Sequence, residues 1–123
     1  MTNTQTHAQK WISALLMQDL PFIDPLSQQI AVGRVGELCP CGCQGFAFEV
    51  PADANVPPLR DGDGLFYELA FTSNFPEEVD MLLFIDQRGC LSWVDVMYSA
   101  FNITPFPEGL VPGAIIGAWP CGS

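Results

Sequence analysis

The densest chemistry in this sequence sits in five residues, Cys39-Pro40-Cys41-Gly42-Cys43, which hold three of the chain's five cysteines on alternate positions. Sulfur donors this close invite a metal ion, with zinc the first to consider. The spacing works against a standard zinc knuckle, whose cysteine pairs stand two to four residues apart and turn back on one ion. Alternate residues of an extended chain lie about 6.5–7 Å apart at Cα, and Pro40 biases Cys39 towards extended backbone. Gly42 could supply the missing bend, and Cys90 or Cys121 a fourth ligand; the sole histidine, His7, stands near the N-terminus. Zinc on Cys39, Cys41 and Cys43 is one expectation. A redox thiol is a second, but it needs a helix N-terminus or a cation to lower its pKa, and the flanking region offers Glu37 and no adjacent base. The third is that cysteines and small residues simply fill a tight strand-to-strand turn against the core. The sequence favours this last reading.

Other catalytic arrangements find less support. There is no phosphate-cradling G-x-x-x-x-G-K-[ST] and no H-E-x-x-H. A serine or cysteine nucleophile would depend on His7 as its base, close to a chain end. Asp61 and Asp63 could serve a glycosidase or a divalent ion, but two carboxylates on a glycine-rich stretch are usually solvated. The expectation is a protein that is not an enzyme and carries no cofactor unless zinc occupies the thiols.

Charge narrows the partners. Charged residues are only 15% of the 123, and fourteen acidic against four basic residues leave a formal charge of −10. Lys10, Arg34, Arg60 and Arg88 are scattered singly, so no basic patch exists to neutralise phosphates of nucleic acid or of an anionic membrane. A basic protein is the natural counterpart, because a face of one sign steers its opposite inward. The acidic residues gather in two places, Asp61 with Asp63 and Glu77 with Glu78 and Asp80. If the sheet brings these together they form one negative edge; otherwise both are merely solvated. Half the chain is apolar (49%), so some apolar surface must remain outside a domain this small. A homodimer would cover such surface as well as a foreign partner would.

These groups need elements to hold them. Thr6 and Gln9 have capping-box spacing, and Ala8, Trp11, Ile12, Leu15 and Leu16 recur at helical period until Pro21 stops the helix. Trp11 and Leu15 are expected in the core. After a turn region holding Pro21 and Pro25, Gln29 to Leu38 alternates loosely as a first strand, and Gly45 to Val50 follows as a second. Pro51 to Gly64 is a long proline- and glycine-rich loop. Leu65 to Thr72 alternates well, with Glu68 and Thr72 opposite Leu65, Tyr67, Leu69 and Phe71. Val79 to Ile85 is nearly all apolar, as a central strand covered on both faces would be. Asp86-Gln87-Arg88-Gly89 suits a type I turn leading into Cys90 to Tyr98, a hairpin. The prediction is one α+β domain over 1–123: an amphipathic N-terminal helix on a mainly antiparallel sheet of four or five strands. Residues 1–5 are expected to fray, and 99–123 to wrap the sheet as an irregular proline- and glycine-rich arm. The polar segment Met1 to Gln9 has no secretory character, and the longest apolar tract falls short of the ~20 residues a spanning helix needs. The expected location is the cytoplasm.

The order of features resembles a group of small acidic bacterial proteins in which C-x-C-G-C leads into a strand and a later hairpin reads L-L-F-I-x-x-x-G-x-L-S. The matching residues are Cys39, Cys41, Gly42 and Cys43, then Leu82 to Ile85, Gly89, Leu91 and Ser92, with Asp95 where an acidic residue is usual. The likeness covers about half the chain. In size and charge the chain also resembles immunity proteins of contact-dependent inhibition and other polymorphic toxin systems. That resemblance implies an immunity protein that occludes a basic toxin domain, a nuclease above all. Its contact residues would be Asp61, Asp63, Glu77, Glu78 and Asp80, with Phe75 and Trp93 as aromatic anchors. The alternative is a zinc-binding or scaffolding domain built on Cys39, Cys41 and Cys43.

Overall fold

The computed structural model describes residues 3–121, so the fraying expected of Met1 and Thr2, and the last two residues of the expected arm, lie outside the described residues. Helix α1 runs Gln5–Leu16, with Thr4 as its N-cap accepting a bond from the His7 amide. The cap is two residues earlier than the predicted Thr6; the two threonines offer the same chemistry, and Thr4 is the one with extended backbone. Trp11 and Leu15 are buried as expected.

A second helix, α2, spans Ile23–Val32 where a turn and the start of a strand were predicted. Pro25 lies in its first turn, where the amide that proline lacks would have no partner within the helix. Helix α2 ends at Gly33, where any Cβ would strike the Phe48 ring. The predicted first strand is thereby shortened to β1, Arg34–Leu38.

Strands β2 (Phe46–Glu49), β3 (Gly64–Ser73), β4 (Val79–Ile85), β5 (Leu91–Tyr98) and β6 (Pro112–Pro120) complete one sheet in the order β1-β2-β5-β4-β3-β6. Every neighbouring pair is antiparallel. The β4–β5 hairpin closes as predicted: Gly89 has φ 76°, and the Asp86 carboxylate accepts bonds from the Arg88 and Cys90 amides. The sheet has six strands because part of the expected arm is β6, paired with β3. Its prolines stand at its two ends on a sheet edge, where a missing donor costs least.

Both helices lie on one side of this sheet. Trp11, Leu15, Phe22 and Leu26 pack with Phe46, Phe71, Met81 and Val94 in a single apolar core. Two buried glutamines tie its pieces together. Gln44 accepts a 2.7 Å bond from the Trp11 indole. Gln29, fully buried in α2, donates to the Pro57 and Gly89 carbonyls and accepts from the Leu91 amide at 2.8 Å. One amide thus fastens a helix, the long loop and the hairpin. No helix among the described residues is long and apolar enough to cross a membrane.

Gln29→Leu keeps the volume but strands the Leu91 amide and the Pro57 carbonyl in the core. It is expected to lower unfolding free energy by about 2–4 kcal/mol, read as a reduced urea midpoint. The exposed neighbour serves as control: Gln28→Leu should stay within about 0.5 kcal/mol of wild type.

Candidate functional site

The three neighbouring cysteines occupy the turn between β1 and β2. The Cys39 amide donates to the Gly45 carbonyl at 2.9 Å, closing the turn, and the Phe106 amide donates to the Gly42 carbonyl at 3.1 Å. Gly42 has φ 99°, a left-handed conformation that a side chain would strain, and it supplies the bend that the spacing required. The sulfurs of Cys39 and Cys41 are 2.8 Å apart and those of Cys41 and Cys43 2.9 Å. All three lie within 4.8 Å of one another. Cys43 is buried and accepts from the Gly45 amide, whereas Cys41 is exposed. Hydrogen bonds with the Cys39 and Cys43 side chains hold the Cys41 pKa below the ordinary thiol value. Burial pushes Cys39 and Cys43 upward.

The other cysteines do not join them. Cys90 opens the return strand of the hairpin, and the Cys121 amide bonds Phe66 near the start of β3. Since Ile85 pairs with both Gly64 and Leu91, these two positions share one end of the sheet. The cysteine turn is at the opposite end, where the Gln44 amide bonds the Val96 carbonyl. Neither Cys90 nor Cys121 can complete a four-sulfur site.

The acidic loops are also divided. Asp61 and Asp63 precede β3, whose Gly64 faces Ile85, while Glu77 and Glu78 precede β4, whose Val79 faces Phe71. The seven-residue step from Gly64 to Phe71 spans roughly 23 Å of strand, so the single negative edge does not form. Asp61 and Asp63 stand alone in solvent. Phe75, Glu77 and Glu78 do come together: with Thr72, Ser73, Pro76 and Ile116 they line a shallow cleft of about 380 Å³. Phe75 rests edge-on against Tyr98, and the Tyr98 hydroxyl accepts a bond from the Glu77 amide at 3.2 Å.

The remaining predicted residues lie on the side of the sheet away from the helices. Strand β4 was expected to be covered on both faces, but only the face of Val79, Met81, Leu83 and Ile85 belongs to the core. The other face can be followed across strands from the pairing. Trp119, Glu68, Leu82 and Asp95 form one row; Gly117, Ala70, Asp80 and Met97 form the next; Leu65, Phe84, Trp93 and Ala47 form a third. The Trp119 ring lies over Gly117, where any Cβ would collide with it, and half of that side chain is exposed (51%). The Trp93 indole donates to Asp95 at 2.6 Å. Glu68, Asp95, Leu82, Phe84, Met97 and Trp119 were not read from sequence as site residues. The alternation Trp93, Asp95, Met97 against Val94, Val96, Tyr98 was the available signal.

This face holds carboxylates at its centre, and the cation it carries among the described residues, Arg34 on the β1 edge, is already taken by Glu49. Arg88 pairs with Asp86. Arg60 bonds the Cys121 carbonyl and Lys10 the Leu110 carbonyl. Asp80, only 7% exposed, is left among Met97, Ala70 and two further acids. Burial, then a hydrogen bond with Glu78 and the charges of Glu78 and Glu68, raises its pKa from 3.8 to about 7.

A carboxyl group that titrates near 7 folded and near 3.8 unfolded keeps its proton longer in the folded state. Stability therefore falls as pH rises through that window, and the loss is complete above it. Asp80→Asn is expected to raise unfolding free energy by about 1–2 kcal/mol at pH 8, after allowance for solvent screening. At pH 3.5 the difference should nearly vanish. Urea unfolding at the two pH values decides it; an equal or smaller stability at pH 8 would refute the assignment.

Comparison with protein-family models, with curated proteins and with solved structures finds nothing that matches this chain.

Proposed function

We propose that this chain is a binding protein, not an enzyme, and that it neutralises a basic partner through the uncovered face of its sheet. The observation that supports this best is the group Glu68, Asp80 and Asp95 set among Leu82, Phe84, Trp93, Met97 and Trp119, with no cation to balance it. An unpaired, largely desolvated carboxylate is a standing cost. A lysine or arginine from a partner would remove that cost and would favour the ionised form of Asp80. The apolar side chains around it can cover the aliphatic stem of the incoming residue, and the cleft of Phe75, Glu77 and Glu78 offers a second such position.

An immunity protein that occludes a basic toxin domain fits this chemistry. The formal charge of −10 steers a cationic cleft inward, and Trp93 and Trp119 are the kind of residue that anchors an interface. A second copy of this chain fits poorly, since two faces carrying the same acids would repel.

The test immobilises the intact wild-type chain beside a Glu68→Lys/Asp80→Lys/Asp95→Lys variant whose fold is verified by circular dichroism. A basic protein retained stoichiometrically by the first and lost from the second is the expected result. Because binding must take the proton from Asp80, affinity should rise about tenfold from pH 6 to pH 8, and it should weaken as salt is added. Co-expression should then relieve any toxicity of the retained protein. Equal retention by both chains, or recovery of the chain only with itself, would sink the reading.

A further inference from the structure

The turn of Cys39, Cys41 and Cys43 plays no part in binding by the sheet face. Thiolates bound at about 2.3 Å to one ion lie roughly 3.8–4.0 Å from each other. Here three sulfurs from five consecutive residues lie within 4.8 Å. The closer contacts, 2.8 and 2.9 Å, need to open by roughly 1 Å to admit an ion, and Cys41, at the centre and exposed, is free to move outward.

The donor set selects the ion. Among the described residues no fourth histidine, cysteine or carboxylate ligand atom joins the three sulfurs. A structural zinc is almost always closed by four ligands, so this set leaves zinc one short. Thiolates alone select soft ions, and monovalent copper is the soft ion that is satisfied with two or three sulfurs. We propose that Cys39, Cys41 and Cys43 bind one Cu(I) ion as a three-coordinate thiolate site. Each thiol that coordinates releases its proton to solvent. The metal keeps its oxidation state and passes from a small-thiol complex by ligand exchange, entering at Cys41.

This ion is not a staple. Closing a loop stabilises a fold in proportion to the chain it constrains, and these ligands span five residues already held by the bonds from Cys39 to Gly45 and from Phe106 to Gly42. The metal-free chain therefore folds, and the site is one for taking up an ion and giving it away. One neighbour provides a check on coordination number. Asn3, just before α1, and Trp11 on that helix bond Gly45 and Gln44 beside the turn. His7, between them, has a buried Nδ1 without a hydrogen-bond partner.

The intact, reduced chain is titrated anaerobically with Cu(I) held by a chromogenic chelator. One equivalent per chain is expected. Cys39→Ser, Cys41→Ser and Cys43→Ser should each weaken binding by more than roughly 100-fold, beyond the effect of an outer-sphere change. Cys90→Ser, Cys121→Ser and His7→Ala should stay within about threefold of wild type, as should the sheet-face variant, which separates this site from the partner-binding one. Thermal melts of metal-free Cys41→Ser should overlay wild type, showing that lost binding is not lost folding. The inference is overturned by no uptake, by uptake that survives Cys41→Ser, or by loss in His7→Ala, which would mean a four-ligand site. A Cys39–Cys41 or Cys41–Cys43 disulfide that resists reductant would overturn it too.

Discussion

Two helices of twelve and ten residues, roughly 18 and 15 Å long, can cover one side of a six-stranded sheet and no more. Everything else follows from that limit. The side chains that alternate inward on β2, β3, β4 and β5 meet α1 and α2 and make the only sizeable core among the described residues. Those that alternate outward have no layer to meet. A pleated sheet leaves such a face either polar, where water covers it, or apolar, where something else must. Here it is apolar with three carboxylates, a composition that suits neither bulk water nor a dry interior. Asp80 shows the conflict: it is nearly inaccessible yet faces two other acids, and it holds its proton near neutral pH as a result.

The covered side shows how few polar contacts are needed once burial is one-sided. Gln29 and Gln44 are almost wholly inaccessible, and each satisfies backbone or indole groups that would otherwise be orphaned. Gln29 matters most because its three bonds reach the long loop, the end of the β4–β5 turn and the start of β5. It fixes the distance between α2 and the sheet, and with it the path of the chain into Gly33 and β1. The cysteine turn inherits that placement, since β1 is its first limb and the Trp11–Gln44 bond pins its second.

Much of this was legible in the sequence, and the unread parts have physical reasons. Helix α1 and the β4–β5 hairpin were visible because period and turn chemistry agree there. Helix α2 was hidden by Pro25, which reads as a breaker unless its place in the first turn is known. Strand β6 was hidden by Pro112, Gly113, Gly117 and Pro120, which weaken strand propensity but suit an edge lying close to Thr72 and beneath Trp119. The cysteine turn was legible down to the glycine that bends it, but Cys90 and Cys121 could be excluded as ligands only once the strand order was known. The uncovered face was the largest omission. A run such as Val79 to Ile85 has the same composition whether one or both of its sides meet a layer, so the open side is a property of the whole fold.

The same topology explains why two dissimilar features lie at one end of the molecule. Val79 pairs with Tyr98, the Ser99 amide bonds the Glu78 carbonyl, and the Phe106 amide bonds Gly42. The segment leaving β5 thus joins the acidic cleft on one side to the cysteine turn on the other. Charge at this end is mostly negative, with Glu37, Glu77, Glu78 and Glu108 exposed against Lys10, whose ammonium bonds the Leu110 carbonyl. A field of that sign raises the local concentration of any cation, whether a metal ion or a lysine-rich surface, and it falls off over roughly a Debye length of 8–10 Å. The two proposed sites do not compete for ligand atoms: one would take its ion through sulfur, the other an ammonium or guanidinium through carboxylate. An incoming cation would relieve the crowding of the carboxylates around Asp80, whereas Cys39 and Cys43, whose thiols burial keeps protonated, would have to give up their protons to take an ion.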